Sequence, residues 1–193
     1  MDDAVRAVID RVGDAAARHD AAQEDRLDRW RVLEPDAGRF LWFLVQAVGA
    51  RTVVEVGTSR GVSTLWLADA VRATGGRVVS VDPDAEAQRA AAANLAEAGL
   101  SGYAELRPVD GGAALAELGD GEVDLLFLDA ERTEYPSWWP HPVRVLRAGG
   151  LLVADNALSH PGEIAPLEAL CRRDLTAVAT IAVGKGELVA RRP

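Results

Sequence analysis

The sequence contains a single cysteine, Cys171, among its 193 residues. One thiol cannot form an internal disulfide, and no positively charged segment followed by an apolar stretch precedes Asp2, so we expect a cytoplasmic protein. No apolar run approaches the roughly 20 residues that span a bilayer, so we expect no membrane partner. The length suits one α/β domain covering residues 1–193.

Positive charge is also scarce. The chain has 21 Lys and Arg residues against 30 Asp and Glu residues, which gives a formal net charge of −9. An acidic total disfavours a large contact with a phosphate backbone. We therefore expect no nucleic acid as the main partner.

The N-terminal region has the pattern of a helical cap. Apolar residues recur at helical spacing over residues 3–31, and a second apolar pattern over residues 40–48 ends at Gly49. The first pattern consists of Val5, Val8, Ile9, Val12, Leu27 and Trp30. The sequence thus predicts a helical cap over residues 1–49 and a separate core over residues 50–193.

The core alternates between β-type and helical segments. Strands are predicted at 52–56, 77–81, 103–107, 123–128 and 150–154, and helices at 62–73, 85–98, 111–118, 136–146 and 162–171. The tail differs, because its two β-like runs, 176–182 and 187–191, are joined by too few residues for a crossover helix. The fold class predicted is α/β, Rossmann-like and doubly wound. Its seven-stranded sheet is mostly parallel and ends in an antiparallel hairpin.

A glycine-bracketed turn follows the first predicted strand. The strand ends with Glu55 and Val56, and Gly57 and Gly61 frame a turn that opens a helix. Free amides at such a helix N-terminus can hold a carboxylate or phosphate. The glycine spacing is not the G-x-G-x-x-G of a dinucleotide site, which speaks against an NAD-dependent oxidoreductase.

Acids also follow the other predicted strands. Asp82 closes the second strand, where a carboxylate can bind both hydroxyls of a ribose. The alternative is a helix N-cap before Pro83, but the complete strand before Asp82 favours ribose binding.

Two acids and an amide follow the fourth and fifth strands. Asp129 and the Asp155-Asn156 pair are expected about 5 Å apart on neighbouring strands. Their oxygens suit a hard cation such as Mg²⁺. The alternative is that Asp129 caps the next segment and that Asp155-Asn156 is an ordinary Asx turn. The spacing alone does not decide between these interpretations.

Four segments carry a resemblance to a known family. Residues 55–63 read EVGTSRGVS, residues 127–130 FLDA, residues 146–158 LRAGGLLVADNAL and residues 183–188 VGKGEL. With these motifs the chain, from about Leu33 to its end, resembles the class I S-adenosylmethionine-dependent O-methyltransferases of the catechol and caffeoyl-CoA type. The resemblance implies methyl transfer from S-adenosylmethionine to a hydroxyl of a small, catechol-like acceptor. It also implies a homodimer.

The resemblance assigns roles to individual residues. Glu55 would bind the α-amino group of the cofactor, Ser63 its carboxylate and Asp82 its ribose. Asp110 would contact adenine, although an Asp before Gly111 also fits a helix cap. The full cofactor set implied is Glu55, Gly57, Thr58, Gly61, Ser63, Asp82, Asp110, Gly111 and Asp129. The implied ligands of Mg²⁺, or of another divalent cation, are Asp129, Asp155 and Asn156.

One departure from the family pattern concerns catalysis. The family usually has D-A-D-K after the fourth strand, whereas this chain ends the same motif with Glu131 and Arg132. Arginine cannot accept a proton, but it can stabilise an oxyanion, so we assign Arg132 and Asp129 to catalysis. Deprotonation would then rely on the metal and bulk base, or the acceptor would be intrinsically acidic. Alternatively, Glu131 or His160 would take the proton. The departure keeps open the alternative of a cofactor-binding protein without activity. A second alternative is an RNA-modifying methyltransferase, which the fold of this family also supports, although the acidic total charge disfavours it.

The segment after this motif is rich in aromatic residues. Trp138 and Trp139 are candidates for the wall of an acceptor pocket, but aromatic residues at helical spacing more often pack into a core or a dimer interface. Trp42 and Trp66 are assigned to the core.

Overall fold

The computed structural model describes residues 1–25 and 28–193, so Leu27 of the predicted N-terminal pattern lies outside the described residues. Within them one sheet contains seven strands: β1 (Thr52–Val56), β2 (Arg77–Val81), β3 (Ala104–Arg107), β4 (Val123–Leu128), β5 (Leu146–Ala154), β6 (Thr176–Ile181) and β7 (Glu187–Arg191). The α-helices described are α1 (Asp3–Ala21), α2 (Pro35–Ala47), α3 (Val62–Thr74), α4 (Ala85–Glu97), α5 (Gly111–Glu117), α6 (His141–Arg144) and α7 (Pro161–Asp174).

The sheet has the order β3-β2-β1-β4-β5-β7-β6. The strands β1 to β5 pair in parallel, and the valine- and leucine-rich runs of β1, β2, β4 and β5 are buried between helices on both faces. The edge strand β3 is only partly buried. Successive connections change direction between β1 and β4, which leaves a crevice beyond the carboxyl ends of these strands. The doubly wound fold predicted from the sequence is confirmed.

The last two strands form the predicted antiparallel hairpin. The strand β7 pairs antiparallel with both β5 and β6, so the chain returns into the sheet beside the strand that carries Asp155 at its end. This position brings the turn of the hairpin to the same edge of the sheet as the crevice.

Apolar side chains form one cluster on each face of the sheet. The first cluster includes the buried residues of α1, α2 and α3, and the second includes those of α5 and α7. In the part of the chain that the structure describes, no helix is long and apolar enough to cross a membrane.

The N-terminal helix is shorter than the pattern over residues 3–31 predicted, because α1 ends at Ala21. The Asp20 carboxylate accepts hydrogen bonds from the backbone amides of Trp30, at 2.7 Å, and Arg31, at 3.0 Å. These bonds fold the chain back and bring residues 29–31 to the crevice.

The prediction of a helix over 136–146 is wrong. A short 3₁₀ turn, Tyr135–Trp138, and the single-turn helix α6 take its place, and β5 begins at Leu146 rather than at residue 150. Prolines at positions 136, 140 and 142 lack the amide that a helix interior requires, so each is confined to a first turn.

Candidate active site

A cavity of about 540 Å³ opens at the crevice beyond β1, β2 and β4. Seven of the residues assigned from the sequence line it: Gly57, Asp82, Asp110, Gly111, Asp129, Arg132 and Asn156. The strand order brings them together, since the carboxyl ends of parallel strands meet at one edge of the sheet.

Gly57 permits the turn after β1 to lie in close contact with the end of β4. Its φ is +103°, and a Cβ at this position would lie 2.2 Å from the carbonyl oxygen of Asp129. A side chain would therefore push the turn after β1 away from the end of β4. Glycine at this position keeps the turn and the Asp129 backbone in contact.

Asp82 is held at the cavity wall by the glycine turn. Its Oδ2 accepts hydrogen bonds from the amides of Thr58 and Ser59, both at 3.0 Å, and its Oδ1 accepts one from the amide of Asp84 at 2.9 Å. The N-cap of α4 is Asp84, so the interpretation of Asp82 as that cap is wrong. An ionised carboxylate has about four acceptor sites, so Asp82 keeps capacity for hydroxyl donors.

The structure confirms one of the two roles that the sequence left open for Asp110, that of a helix cap. It is the N-cap of α5, because its Oδ1 accepts a hydrogen bond from the amide of Ala113 at 2.9 Å. It also lines the cavity, together with Gly111.

Glu55 is buried behind the cavity wall, with no exposed surface. Its Oε2 accepts hydrogen bonds from the hydroxyls of Thr64 and Ser80, while its Oε1 has no partner among the described residues. Burial raises the pKa of Glu55 to about 7, although the neighbouring hydroxyls, led by that of Ser63, oppose the rise. An unpaired buried carboxylate oxygen fits an ammonium group, because burial without a partner is costly.

Three further residues of the predicted cofactor set are buried with Glu55: Thr58, Gly61 and Ser63. The hydroxyl of Thr58 is bonded to Ser80 Oγ, at 2.6 Å, and to Gln88 Nε2, at 2.8 Å. Thr58 therefore supports the wall rather than presenting its hydroxyl to the cavity.

Asp129 and Asp155 lie close enough to influence each other's ionisation. Burial raises the pKa of Asp129 well above its usual range, and the Asp155 charge raises it further. Asn156 donates from Nδ2 to Asp155 Oδ2 at 2.6 Å, and Asp155 Oδ1 is buried without a partner in the described part of the chain.

The chemistry of these donors suits a hard cation. Two carboxylates and an amide carbonyl provide oxygen ligands, and the unpaired Asp155 Oδ1 is an acceptor that a cation would satisfy. Within residues 1–25 and 28–193, no group of three or more His, Cys, Asp or Glu side chains is arranged to hold a metal ion. The predicted set differs from such a group because its third member is an amide.

Arg132 is 4% exposed, and its Nε donates to Glu163 Oε2 of α7 at 2.8 Å. The loop that carries it is fixed by Tyr135, whose hydroxyl bonds both the amide and the carbonyl of Ala130. The Arg132 guanidinium, which was expected from the sequence to stabilise an oxyanion, is thus already paired with a carboxylate. The two alternative bases, Glu131 and His160, both line the cavity.

Of the two neighbouring tryptophans, Trp138 lines the cavity and Trp139 does not take part in its wall. Trp138 is 8% exposed and packs against Gly111, whereas the indole of Trp139 donates to Asp174 Oδ2 at 2.7 Å. Trp66 is in the core, as predicted, and Trp42 is only partly buried against it.

Sequence reasoning missed three charged residues beside the cation set. Lys185 lines the cavity, and its Nζ lies 2.5 Å from Glu34 Oε1. Burial disfavours the ammonium, but Glu34, Asp155 and Asp129 outweigh this effect and raise the pKa of Lys185. Glu187 is buried beside the same acids. The glycine-flanked turn was visible in the sequence, but it indicated only a hairpin.

Comparison with known proteins gives consistent matches. A family model described as O-methyltransferase matches residues 17–182. A catechol O-methyltransferase of Niastella koreensis is 33% identical over 129 residues, which cover 65% of this chain and 58% of the relative. A putative O-methyltransferase of Mycolicibacterium smegmatis is 39% identical over 125 residues, 64% of this chain and 59% of the relative. The matched part thus spans less than two thirds of these relatives.

Solved structures match over a larger share of their length. The crystal structure of an O-methyltransferase from Bacillus cereus in complex with SAH (S-adenosylhomocysteine) is 25% identical to this chain. The two structures superpose with a TM-score of 0.77, and the superposition covers 100% of this chain and 92% of the Bacillus cereus chain.

Proposed function

The chain belongs to the O-methyltransferase family, and we propose that it transfers a methyl group from S-adenosylmethionine to a hydroxyl of a small molecule. The observation that carries the proposal is the cavity, in which the glycine turn, Asp82 and Asp129 meet at the switch point of the sheet. Its volume of about 540 Å³ is within the range of small-molecule sites.

The cofactor would lie along the wall formed by β1, β2 and α5. Asp82 would accept hydrogen bonds from the ribose, and Asp110 and Trp138 would enclose the adenine. Glu55 would pair with the α-amino group through its unpaired Oε1. This last contact requires the wall to open, because Glu55 has no exposed surface.

The acceptor would be a catechol or another molecule with adjacent oxygen donors. Asp129, Asp155 and Asn156 would hold a divalent cation such as Mg²⁺ beside it. Such a cation supplies Lewis-acid activation of the acceptor hydroxyl. Support comes from the donor chemistry of these residues and from the name of the relative in Niastella koreensis.

This chain's own residues would act mainly through orientation. Methyl transfer from a sulfonium to an oxygen needs no covalent nucleophile, so alignment of the two reactants contributes most of the acceleration. Trp138 and the segment 29–31 would exclude water from the cavity that they line. His160, which also lines it, would be in reach of a proton released by the acceptor.

Binding of the cofactor product tests the proposal. Calorimetry should detect S-adenosylhomocysteine binding and no binding of NAD⁺. We expect Asp82→Asn to weaken S-adenosylhomocysteine by about tenfold or more, because hydrogen bonds to a charged group are lost. Asp84→Asn is the matched control, since Asp84 caps α4 outside the wall of the main cavity. Equal affinities for both variants would refute the assignment of Asp82.

A second candidate is a cofactor-binding protein without transferase activity. The Arg132–Glu163 ion pair favours this candidate, because the guanidinium that would stabilise an oxyanion is already paired with a carboxylate of α7. Tight cofactor binding without formation of S-adenosylhomocysteine in any acceptor assay would select this candidate.

A further inference from the structure

The turn between β6 and β7 is fastened to the loop that follows β5. Three backbone amides of this loop donate to the turn: Ala157 to Gly186 O at 2.8 Å, and Leu158 and Ser159 to Lys185 O at 2.9 and 3.0 Å. The loop begins with Asp155 and Asn156, so the turn has a fixed position beside the cation set. These backbone contacts therefore fix the position of the turn that carries Lys185.

Gly186 makes this contact possible. Its φ is +96°, and a Cβ would lie 2.5 to 2.7 Å from three atoms of Leu158, including the backbone nitrogen. No side chain fits at that distance. Glu187, which follows Gly186, is the first residue of β7 and is therefore buried in the interior.

The carboxyl group of Glu187 is buried, and no hydrogen bond from a described residue offsets the cost of its burial. It has no exposed surface, and neither of its carboxylate oxygens has a hydrogen-bond partner among the described side chains and backbone groups. Leu188 pairs with Ala154 in the antiparallel ladder between β5 and β7, so Glu187 lies beside Asp155, the residue that follows Ala154. Two facing carboxyl groups are favourable together only when a proton or a cation lies between them.

Other carboxylate oxygens near Glu187 also lack hydrogen-bond partners in the described part of the chain. Asp155 Oδ1 and Glu34 Oε2 are also buried without a partner in the described residues. Lys185, the single lysine of the sequence, contributes positive charge, but its ammonium is bonded to Glu34 Oε1. One ammonium therefore faces a cluster of four carboxyl groups, those of Glu34, Asp129, Asp155 and Glu187.

We infer that Glu187 adds a third carboxylate to the environment of the divalent-cation site and strengthens cation binding through its contact with Asp155. It acts as a positioning residue: its charge bears on the cation, and the Asp129, Asp155 and Asn156 oxygens remain the ligands. Lys185 acts in the opposite sense, because its ammonium repels the same cation. The inference rests on the cation site of the proposed function.

Direct measurement of Mn²⁺ binding to the full chain tests this inference without any turnover. The concentration of free Mn²⁺ is measured by electron paramagnetic resonance as Mn²⁺ is titrated into the purified protein. We expect Glu187→Gln to weaken Mn²⁺ binding by about tenfold to a hundredfold, as is typical of residues that support metal ligands. The control is Glu105→Gln on the exposed side of β3, which removes the same charge far from the site and should leave the affinity unchanged.

Lys185→Met provides the second variant. Lys185 is partly exposed, so its replacement should leave the fold intact even if Glu187→Gln does not fold. We expect tighter Mn²⁺ binding in Lys185→Met. In addition, the labelled side chain of the single lysine gives one NMR signal in the wild type, and this signal should shift when Mg²⁺ is added.

Unchanged Mn²⁺ affinity in both variants would overturn the inference, and so would the absence of Mn²⁺ binding by the wild type. Neither result would touch the transferase proposal itself, because S-adenosylhomocysteine binding is measured separately and without metal.

Discussion

Arg132 and Glu163 form an ion pair in which Nε and Nη2 of the guanidinium both lie within 2.8 Å of one carboxylate oxygen, Oε2. The pair joins the loop after β4 to α7. Because the Arg132 side chain is only 5% exposed, it is shielded from solvent much more than a surface ion pair is. We conclude that Arg132 fixes the loop that carries Asp129.

Replacement of Arg132 should therefore reduce stability. We expect Arg132→Met to lower the free energy of unfolding by about 1 to 3 kcal/mol, because Glu163 loses a charged hydrogen-bond partner. Urea unfolding followed by circular dichroism measures this change. Arg172→Met is the control, since its pair with Glu168 is largely exposed and should contribute less than about 1 kcal/mol. Equal losses in both variants would contradict the role given to the pair.

Gly57 should tolerate no side chain. We expect Gly57→Ala to cost at least about 2 kcal/mol of stability, because a positive φ and a contact of 2.2 Å with the Asp129 carbonyl act together. The variant should also bind S-adenosylhomocysteine poorly. Gly13→Ala is the opposite case, because Gly13 lies inside α1 and the described residues leave its Cβ position free. It should gain up to about 1 kcal/mol. A folded Gly57→Ala variant with normal binding would disprove the steric account.

Glu55 should give the cofactor-free protein a pH-dependent stability. Its folded-state pKa of about 7 lies above its ordinary value of 4.5, so the folded chain binds this proton more tightly than the unfolded chain does. The resulting stability is fully present below about pH 4.5 and is lost as the pH rises through 7. Between pH 5 and pH 8 we expect a loss of about 3 kcal/mol from this group.

The measurement compares wild type and Glu55→Gln by urea unfolding at several pH values. The amide cannot ionise, so the variant should gain stability relative to wild type as the pH rises. A constant difference between the two proteins from pH 5 to pH 8 would rule out the raised pKa.

The sequence predicted the parts of the fold that depend on local patterns. The strands β1, β2 and β4 have the predicted bounds because each is a largely apolar run that ends at a polar residue or a turn. The helix predicted over 136–146 is absent because three prolines interrupt an otherwise helical pattern. Sequence periodicity also extended the first helix to residue 31, since the return of the chain to Asp20 is a tertiary contact.

The candidate site was predictable only where its residues follow strands. Asp82 and Asp129 were identified because strand ends in a parallel sheet converge. Lys185 and Glu187 were missed as site residues, because the hairpin reaches the site through the contact of Gly186 with Leu158, two segments distant in sequence. Likewise, nothing local indicates that Glu163 pairs with Arg132.

A turnover assay tests whether the protein transfers a methyl group to an acceptor oxygen with the support of a divalent cation. S-adenosylhomocysteine formation should be measured with S-adenosylmethionine and a panel of catechol-type acceptors, in Mg²⁺ and again in EDTA. We expect turnover in Mg²⁺, no turnover in EDTA, and no turnover by the Asp155→Ala variant. Turnover that is equal in EDTA would contradict the cation mechanism, and the absence of turnover despite cofactor binding would contradict the transferase assignment.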